Sequence, residues 1–263
     1  MASNAKNIIN RYGDGSREEN RSLAERIDYN MEFKYTKKIL EQYILSDFSI
    51  LEVGCGTGYY GVYLSNKCRR YLGVDITPGN INIFNTKIKK NNLKNVEAVV
   101  GDATDLKSIK NESYDVVLAF GPMYHLPPKE VELVFNECRR VCKKDGIVMI
   151  AYINKIGVYL DACLKEPAKY PNVQKNKSIL INGIDDSRED IYWFSMPEDM
   201  EDYARKYDLK VIDNLGVDFT FIPDIYNQYE SNEKPWEEFI DYLCMSRSCT
   251  GFANHAVMIC KKL

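Results

Sequence analysis

Ser49-Ile50-Leu51-Glu52-Val53-Gly54-Cys55-Gly56-Thr57-Gly58-Tyr59-Tyr60-Gly61 is the stretch that decides the fold. Short, mostly apolar residues run into alternating glycines and then into a helix-compatible segment. The spacing predicts a strand, a tight turn and a helix N-terminus. Glycine belongs where the backbone needs φ > 0 or where a ligand must come close. A helix start presents free N–H groups to a polar ligand. The stretch therefore predicts a nucleotide-type pocket at the C-terminal end of a first strand.

The chain has 263 residues, 45% hydrophobic and 28% charged, the composition of a globular protein with one large α/β domain or two small ones. A net charge of −3 argues against a broad surface for nucleic acid. No apolar run approaches the roughly 18 residues that span a bilayer. Met1 to Arg11 has no apolar core, so it does not read as a secretory signal. Eight cysteines form no C-x-x-C pair, and the chain has two histidines. Buried thiols in a reducing cytoplasm explain them better than zinc.

From the glycine stretch outward, hydrophobic spacing gives the elements. Residues 1–16 are polar, with a loop signal at Tyr12-Gly13-Asp14-Gly15, and residues 17–46 read as helices. After a helix over 57–66, a second strand runs from Arg70 to Asp75. Pro78 opens a helix to about Asn91. Further strands are expected over 95–100, 114–120 and 146–152, with a helix from Pro127-Pro128 between the last two. This alternation predicts a parallel sheet with helices on both faces. Thereafter, Ser178–Asn182 and Ile191–Ser195 read as a hairpin. Pro197 opens a short helix, and strands are expected over 210–219 and 254–260 around a helix at 236–244. The lysines at 87, 89, 90 and 94 read as a solvated helix end.

The glycines fit two registers. Gly54, Gly56 and Gly58 give G-x-G-x-G, while Gly56, Gly58 and Gly61 give the dinucleotide fingerprint G-x-G-x-x-G. In the second, the turn falls late, and Asp75 follows by slightly less than the usual interval of about 20 residues. Glu52, Asp75 and Asp102 put acids at three consecutive strand ends. Together they suit a cationic amino-acid nucleoside better than an anionic pyrophosphate.

Leu51-Glu52-Val53-Gly54-Cys55-Gly56-Thr57-Gly58 resembles the first motif of class I S-adenosylmethionine-dependent methyltransferases. Gly73-Val74-Asp75-Ile76 resembles the second and Gly101-Asp102-Ala103 the third. Tyr114-Asp115-Val116-Val117 through Gly121-Pro122-Met123-Tyr124-His125-Leu126 resembles the fourth. Arg139 to Ile147 is similar to the passage into the fifth strand, although Lys144-Asp145-Gly146 stands where Pro-Gly is usual. The resemblance covers about residues 48–152, and the tail from Pro197 resembles the closing strands. It implies a doubly wound α/β fold: a seven-stranded, mostly parallel sheet with its last strand antiparallel. An N-terminal helical cap (1–46), a cofactor core (47–152), a lid insertion after the fifth strand (153–196) and the rest of the sheet (197–263) would form a single domain.

The resemblance also implies roles. Gly54, Cys55, Gly56 and Gly58 would admit the methionine moiety and ribose. Glu52 would serve either the methionine ammonium or the turn amides. Asp75 would accept both ribose hydroxyls, with Ile76 on the adenine face. Asp102 would accept the adenine amino group, and the Ala103 N–H would reach the ring. Phe120 and Gly121 would offer backbone near the ligand amine. Phosphobase methyltransferases in this class pair a His after the fourth strand with an N-terminal Tyr, which selects His125 and Tyr12 as catalytic candidates; Tyr29 and Tyr35 could instead cover the cofactor or belong to the core. His255 reads as a packed residue. The expected reaction is in-line methyl transfer from S-adenosylmethionine to a small-molecule acceptor, giving S-adenosylhomocysteine. The acceptor would lie under a lid rich in aromatics (Tyr152, Tyr159, Tyr192, Trp193, Phe194, Phe219, Phe221). The expected setting is a cytoplasmic monomer or homodimer without metal, nucleic acid or membrane. The competing readings are an NAD-dependent oxidoreductase, a non-catalytic S-adenosylmethionine-binding protein, and an RNA or protein methyltransferase.

Overall fold

Strand β1 (Ser49–Val53) is buried at every position, as a strand covered on both faces must be. The computed structural model describes residues 3–23, 27–185, 192–222 and 233–263. In it β1 lies between β2 (Arg70–Asp75) and β4 (Tyr114–Ala119), parallel to both. With β3 (Val96–Val100), β5 (Cys142–Ile153), β6 (Leu209–Gly216) and β7 (His255–Lys262), the sheet has seven strands in the order β3-β2-β1-β4-β5-β7-β6. Only β7 is antiparallel to its neighbours. The chain builds outward from β1 in one direction and then, from β4, in the other. That reversal leaves a crevice at the carboxyl ends of β1 and β4, the place where ligands bind in such sheets.

Two apolar layers hold the sheet. On one face, α3 (Ile27–Tyr43), α4 (Tyr59–Leu64), α5 (Pro78–Lys90) and α10 (Glu233–Cys244) contribute residues such as Leu40, Leu64, Phe84 and Cys244. On the other, α6 (Pro128–Val141) and α9 (Pro197–Lys206) supply Phe135, Cys138, Met200 and Ala204. Proline opens α5, α6 and α9 at the first helical turn, where its missing N–H costs nothing.

Several local expectations are corrected. The polar start folds as α1 (Ala5–Tyr12), because Ala5 and Ile8 share a buried face; α2 (Ser16–Leu23) follows the Gly13–Gly15 loop. Strand β5 begins at Cys142, four residues early, and Asp145 takes the left-handed conformation (φ 62°) in the passage where Pro-Gly is usual. After α7 (Lys155–Lys165), the Ser178–Asn182 stretch is not a strand. Asn172 caps α8 (Val173–Lys175) by accepting a 2.8 Å bond from the Lys175 N–H, and the chain continues as a π-helical turn over Asn176–Ile181. Ile179 packs there with Ala162 and Tyr170. Ile191 lies outside the described residues, and Ser195 makes only an isolated bridge to Asn154. Among the described residues, no helix is long and apolar enough to cross a membrane.

Candidate active site

The glycine loop is tied to the end of β2: the N–H groups of Gly54 and Cys55 donate to the Val74 carbonyl at 2.7 and 3.1 Å. Gly54 has φ 77°, and a Cβ there would lie 2.7 Å from Pro122 and 2.9 Å from the Gly121 backbone. Gly58 has φ 82°, and its Cβ would enter the Phe84 ring at 2.1 Å. Gly54 therefore serves the approach of two loops, while Gly58 serves helix packing.

Asp75 ends β2 facing the crevice and is 8% exposed. Its carboxylate accepts from the N–H of Gly56 (2.9 Å) and Thr77 (2.8 Å) and from Asn80 Nδ2 (3.1 Å). Burial raises its pKa against the pull of those donors. Asp102 accepts from the Thr104 N–H at 2.9 Å and Oγ1 at 2.7 Å.

One cavity brings most of the expected residues together. Gly54, Gly56, Asp75, Ile76, Asp102 and Ala103 form its floor, and Phe120, Gly121, His125 and Tyr12 complete the wall. Three expected residues are not in that lining. Gly58 and Cys55 point into the packing behind the loop, where burial pushes the Cys55 thiol pKa up. Glu52 is 1% exposed and accepts a hydrogen bond from the Tyr71 hydroxyl, so it serves neither the turn amides nor the cavity surface here. Burial, with Asp75 and Glu18 nearby, raises its pKa well above the usual carboxylate range.

Across the cavity, Tyr12 Oη lies 2.9 Å from His125 Nε2, and the rings meet edge to face. Burial raises the Tyr12 pKa, so the phenol stays protonated; it donates to Nε2 in the tautomer that carries the proton on Nδ1 and accepts from Nε2–H in the other. The His125 carbonyl accepts from Asn4 Nδ2 at 3.0 Å, which fastens the start of α1 to the turn. Of the lid aromatics, Tyr192 reaches this pair, with its hydroxyl 3.5 Å from Tyr12 Oη. Tyr152 and Phe219 are core residues instead. Tyr35 is also buried, bonding Asp241, and the Tyr29 side chain lies outside the described residues.

Sequence reasoning missed Glu18 and Arg21, which α2 lays over the glycine loop and which line the cavity. A Cβ on Gly56 would lie 3.0 Å from Glu18 Cγ. Arg21 pairs with Glu18 at 3.2 Å and with Glu32 at 2.8 Å. Lys87, expected as a solvated end, pairs with Glu19 at 2.5 Å and fastens α2 to α5. No short motif marks these residues, since the Glu18–Arg21 pair is an ordinary i,i+3 helix pair and the contacts that place it, to Glu32 and from Glu19 to Lys87, are more distant in sequence.

Beyond Arg21 the charges continue. Glu32, Asp218 and His255 bring their polar atoms within 4.8 Å of one another, a spacing compatible with a metal ion. Arg21 already pairs with Glu32, and His255 Nδ1 with Asp218 at 2.7 Å, so the group is a closed ion network. His255 is thus not merely packed. Burial lowers its pKa, but the Asp218 and Glu32 carboxylates more than offset this and raise it to about 9. Its folded pKa exceeds the unfolded value of about 6.5. The stabilisation is therefore complete below that value and lost as pH rises through 9. In denaturant titrations, wild type should lose about 3 kcal/mol more than His255→Gln between pH 6 and pH 10; parallel curves would remove the charge from His255.

Residues 50–146 match the family model described as a methyltransferase domain. The ubiquinone biosynthesis O-methyltransferase of Neisseria meningitidis (serogroup A / serotype 4A) is 22% identical over 185 residues, 70% of this chain and 73% of its own. Among solved structures, the [4+2]-cyclase SpnF shares the fold across 100% of this chain and 97% of its own, at 14% identity and a TM-score of 0.66. A SAM-dependent methyltransferase from Methanosarcina mazei covers 86% of this chain and 97% of its own, at 16% identity and a TM-score of 0.58. Residues 50–146 are thus similar to a methyltransferase domain, and the chain as a whole shares the fold of S-adenosylmethionine-dependent methyltransferases. The cavity's own chemistry fits that cofactor. Asn80 Oδ1, in a residue lining the cavity beside Asp75, is buried without a partner among the described residues, and the Thr77 hydroxyl lies next to the same carboxylate. With the Asp75 carboxylate they make a polar end suited to a ribose diol.

Proposed function

We propose that this enzyme methylates a small-molecule acceptor, with Tyr12 and His125 as the proton-handling pair. The observation that carries the reading is the 2.9 Å Tyr12–His125 bond, which joins the cap to the turn after β4 across the cavity. S-adenosylmethionine supplies a methyl group on a sulfonium, already a good leaving group. The chain's contribution is chiefly positioning, which can supply about 7–11 kcal/mol. Asp75 takes the ribose hydroxyls, Ile76, Asp102 and Ala103 the adenine, and Gly54 and Gly56 admit the methionine portion. Glu52, Cys55 and Gly58 shape the loop from behind, and Phe120 and Gly121 present backbone. An acceptor O–H or N–H that donates to Tyr12 Oη passes a proton through it to His125 Nε2.

Support for a small acceptor comes from the Neisseria relative, which by its name acts in ubiquinone biosynthesis, and from the net charge of −3, a poor match for nucleic acid. The same reading makes 1–46 the cap, 47–152 the cofactor core, 153–196 the lid and 197–263 the rest of the sheet. We place the protein in the cytoplasm as a monomer or homodimer.

Thermal-shift and calorimetric titrations test this. S-adenosylhomocysteine at 100 times its dissociation constant should add about 2.7 kcal/mol of stability, and NAD should bind far more weakly. Tighter NAD binding would point to an oxidoreductase. Cofactor binding without turnover across phenols, amines, thiols and carboxylates would leave only a binding protein.

A further inference from the structure

A second cavity, about 420 Å³, lies behind the turn that carries His125. It shares Leu126 with the cofactor cavity but is otherwise built from different residues. Met123, Val131, Trp193, Phe194 and Tyr203 give it apolar and aromatic walls. Two lysines, Lys155 and Lys206, also line it. Lys155, the first residue of α7, is only 16% accessible, and its ion contact is a loose 3.6 Å to Asp199. Asp199 is half exposed, and the same oxygen already accepts the Met196 N–H at 2.9 Å. The other charges in the lining are closely paired: Lys206 with Glu132 at 2.7 Å, and Asp202 with Arg205. The Lys155 ammonium, on a mostly buried side chain and with only a loose ion contact, can take a closer anion, and the positive end of α7 adds to the same field.

We propose that this cavity binds a small amphipathic carboxylate, with its apolar body among Trp193, Tyr203 and Val131 and its carboxylate on Lys155 Nζ. The site depends on no assumption about methyl transfer. It is nevertheless mechanically joined to the cofactor cavity, since the Trp193 N–H donates to the Tyr124 carbonyl at 2.9 Å.

Trp193 is one of two tryptophans, so a Trp236→Phe background isolates its fluorescence. The probes are 4-phenylbutyrate and its neutral counterpart 4-phenylbutanol. The carboxylate should quench saturably and bind more tightly than the alcohol. Lys155→Met should weaken the carboxylate by about tenfold, the loss of one charge-assisted bond, and leave the alcohol within about twofold. Lys155→Gln serves as a second variant should the methionine form fail to fold. A cavity-filling Val131→Phe should abolish both signals while retaining S-adenosylhomocysteine binding. No saturable quenching by the carboxylate, or equal weakening of both probes in the lysine variants, would overturn the site.

Discussion

Asp75→Ala should weaken S-adenosylhomocysteine binding by about 10²–10⁴-fold. Two hydrogen bonds from ribose hydroxyls to a buried carboxylate are each worth about 1.5–3 kcal/mol, and every 1.4 kcal/mol is about tenfold in affinity. The protein itself should survive the change, because the charge is held at a cost: burial raises the Asp75 pKa. At neutral pH a carboxylate raised in this way opposes folding, which partly offsets the lost bonds to Gly56, Thr77 and Asn80. Calorimetric titration decides the matter, and unchanged affinity would take Asp75 out of the cofactor site.

His125→Ala should lower kcat by about 10²–10³, within the range for a positioned proton acceptor, while the S-adenosylhomocysteine dissociation constant moves by less than about threefold. Tyr12→Phe removes the relay oxygen but keeps the ring edge against His125, so it should reproduce most of the kcat loss. Isotope-labelled methyl transfer to whichever acceptor the panel yields measures this. If the alanine variant keeps wild-type values for both parameters, His125 only orders the turn that Asn4 grips.

The cofactor side was legible because its signals are local. A buried run, a glycine turn and an acid at the next strand end all lie within residues 49–75, and backbone geometry forces that spacing. The Tyr12–His125 pair came from family resemblance, and the structure brings the two side chains together. Arg21 and Glu18 were invisible because α2 is a polar helix whose meaning depends on where α1 and the Gly13–Gly15 loop deliver it. Glu52 differs: its place in the strand was legible, but its bond to Tyr71 on β2 was not, because that partner lies on another strand. The hairpin reading failed because Ile179-Leu180-Ile181 has strand composition, while a cap at Asn172 and the buried niche for Ile179 select a helical turn. A local apolar run fixes burial more firmly than it fixes backbone class.

The helix laid over the glycine loop, Ser16–Leu23, has a single apolar residue in eight, Leu23. Ion pairs hold it, through Glu18, Glu19 and Arg21. A lid that closes by hydrophobic contact removes apolar surface from water and leaves a large negative heat-capacity change. Closure of this helix over a bound cofactor would leave almost none. The heat capacity of cofactor binding should therefore report the nucleoside's own burial and be nearly blind to the cap.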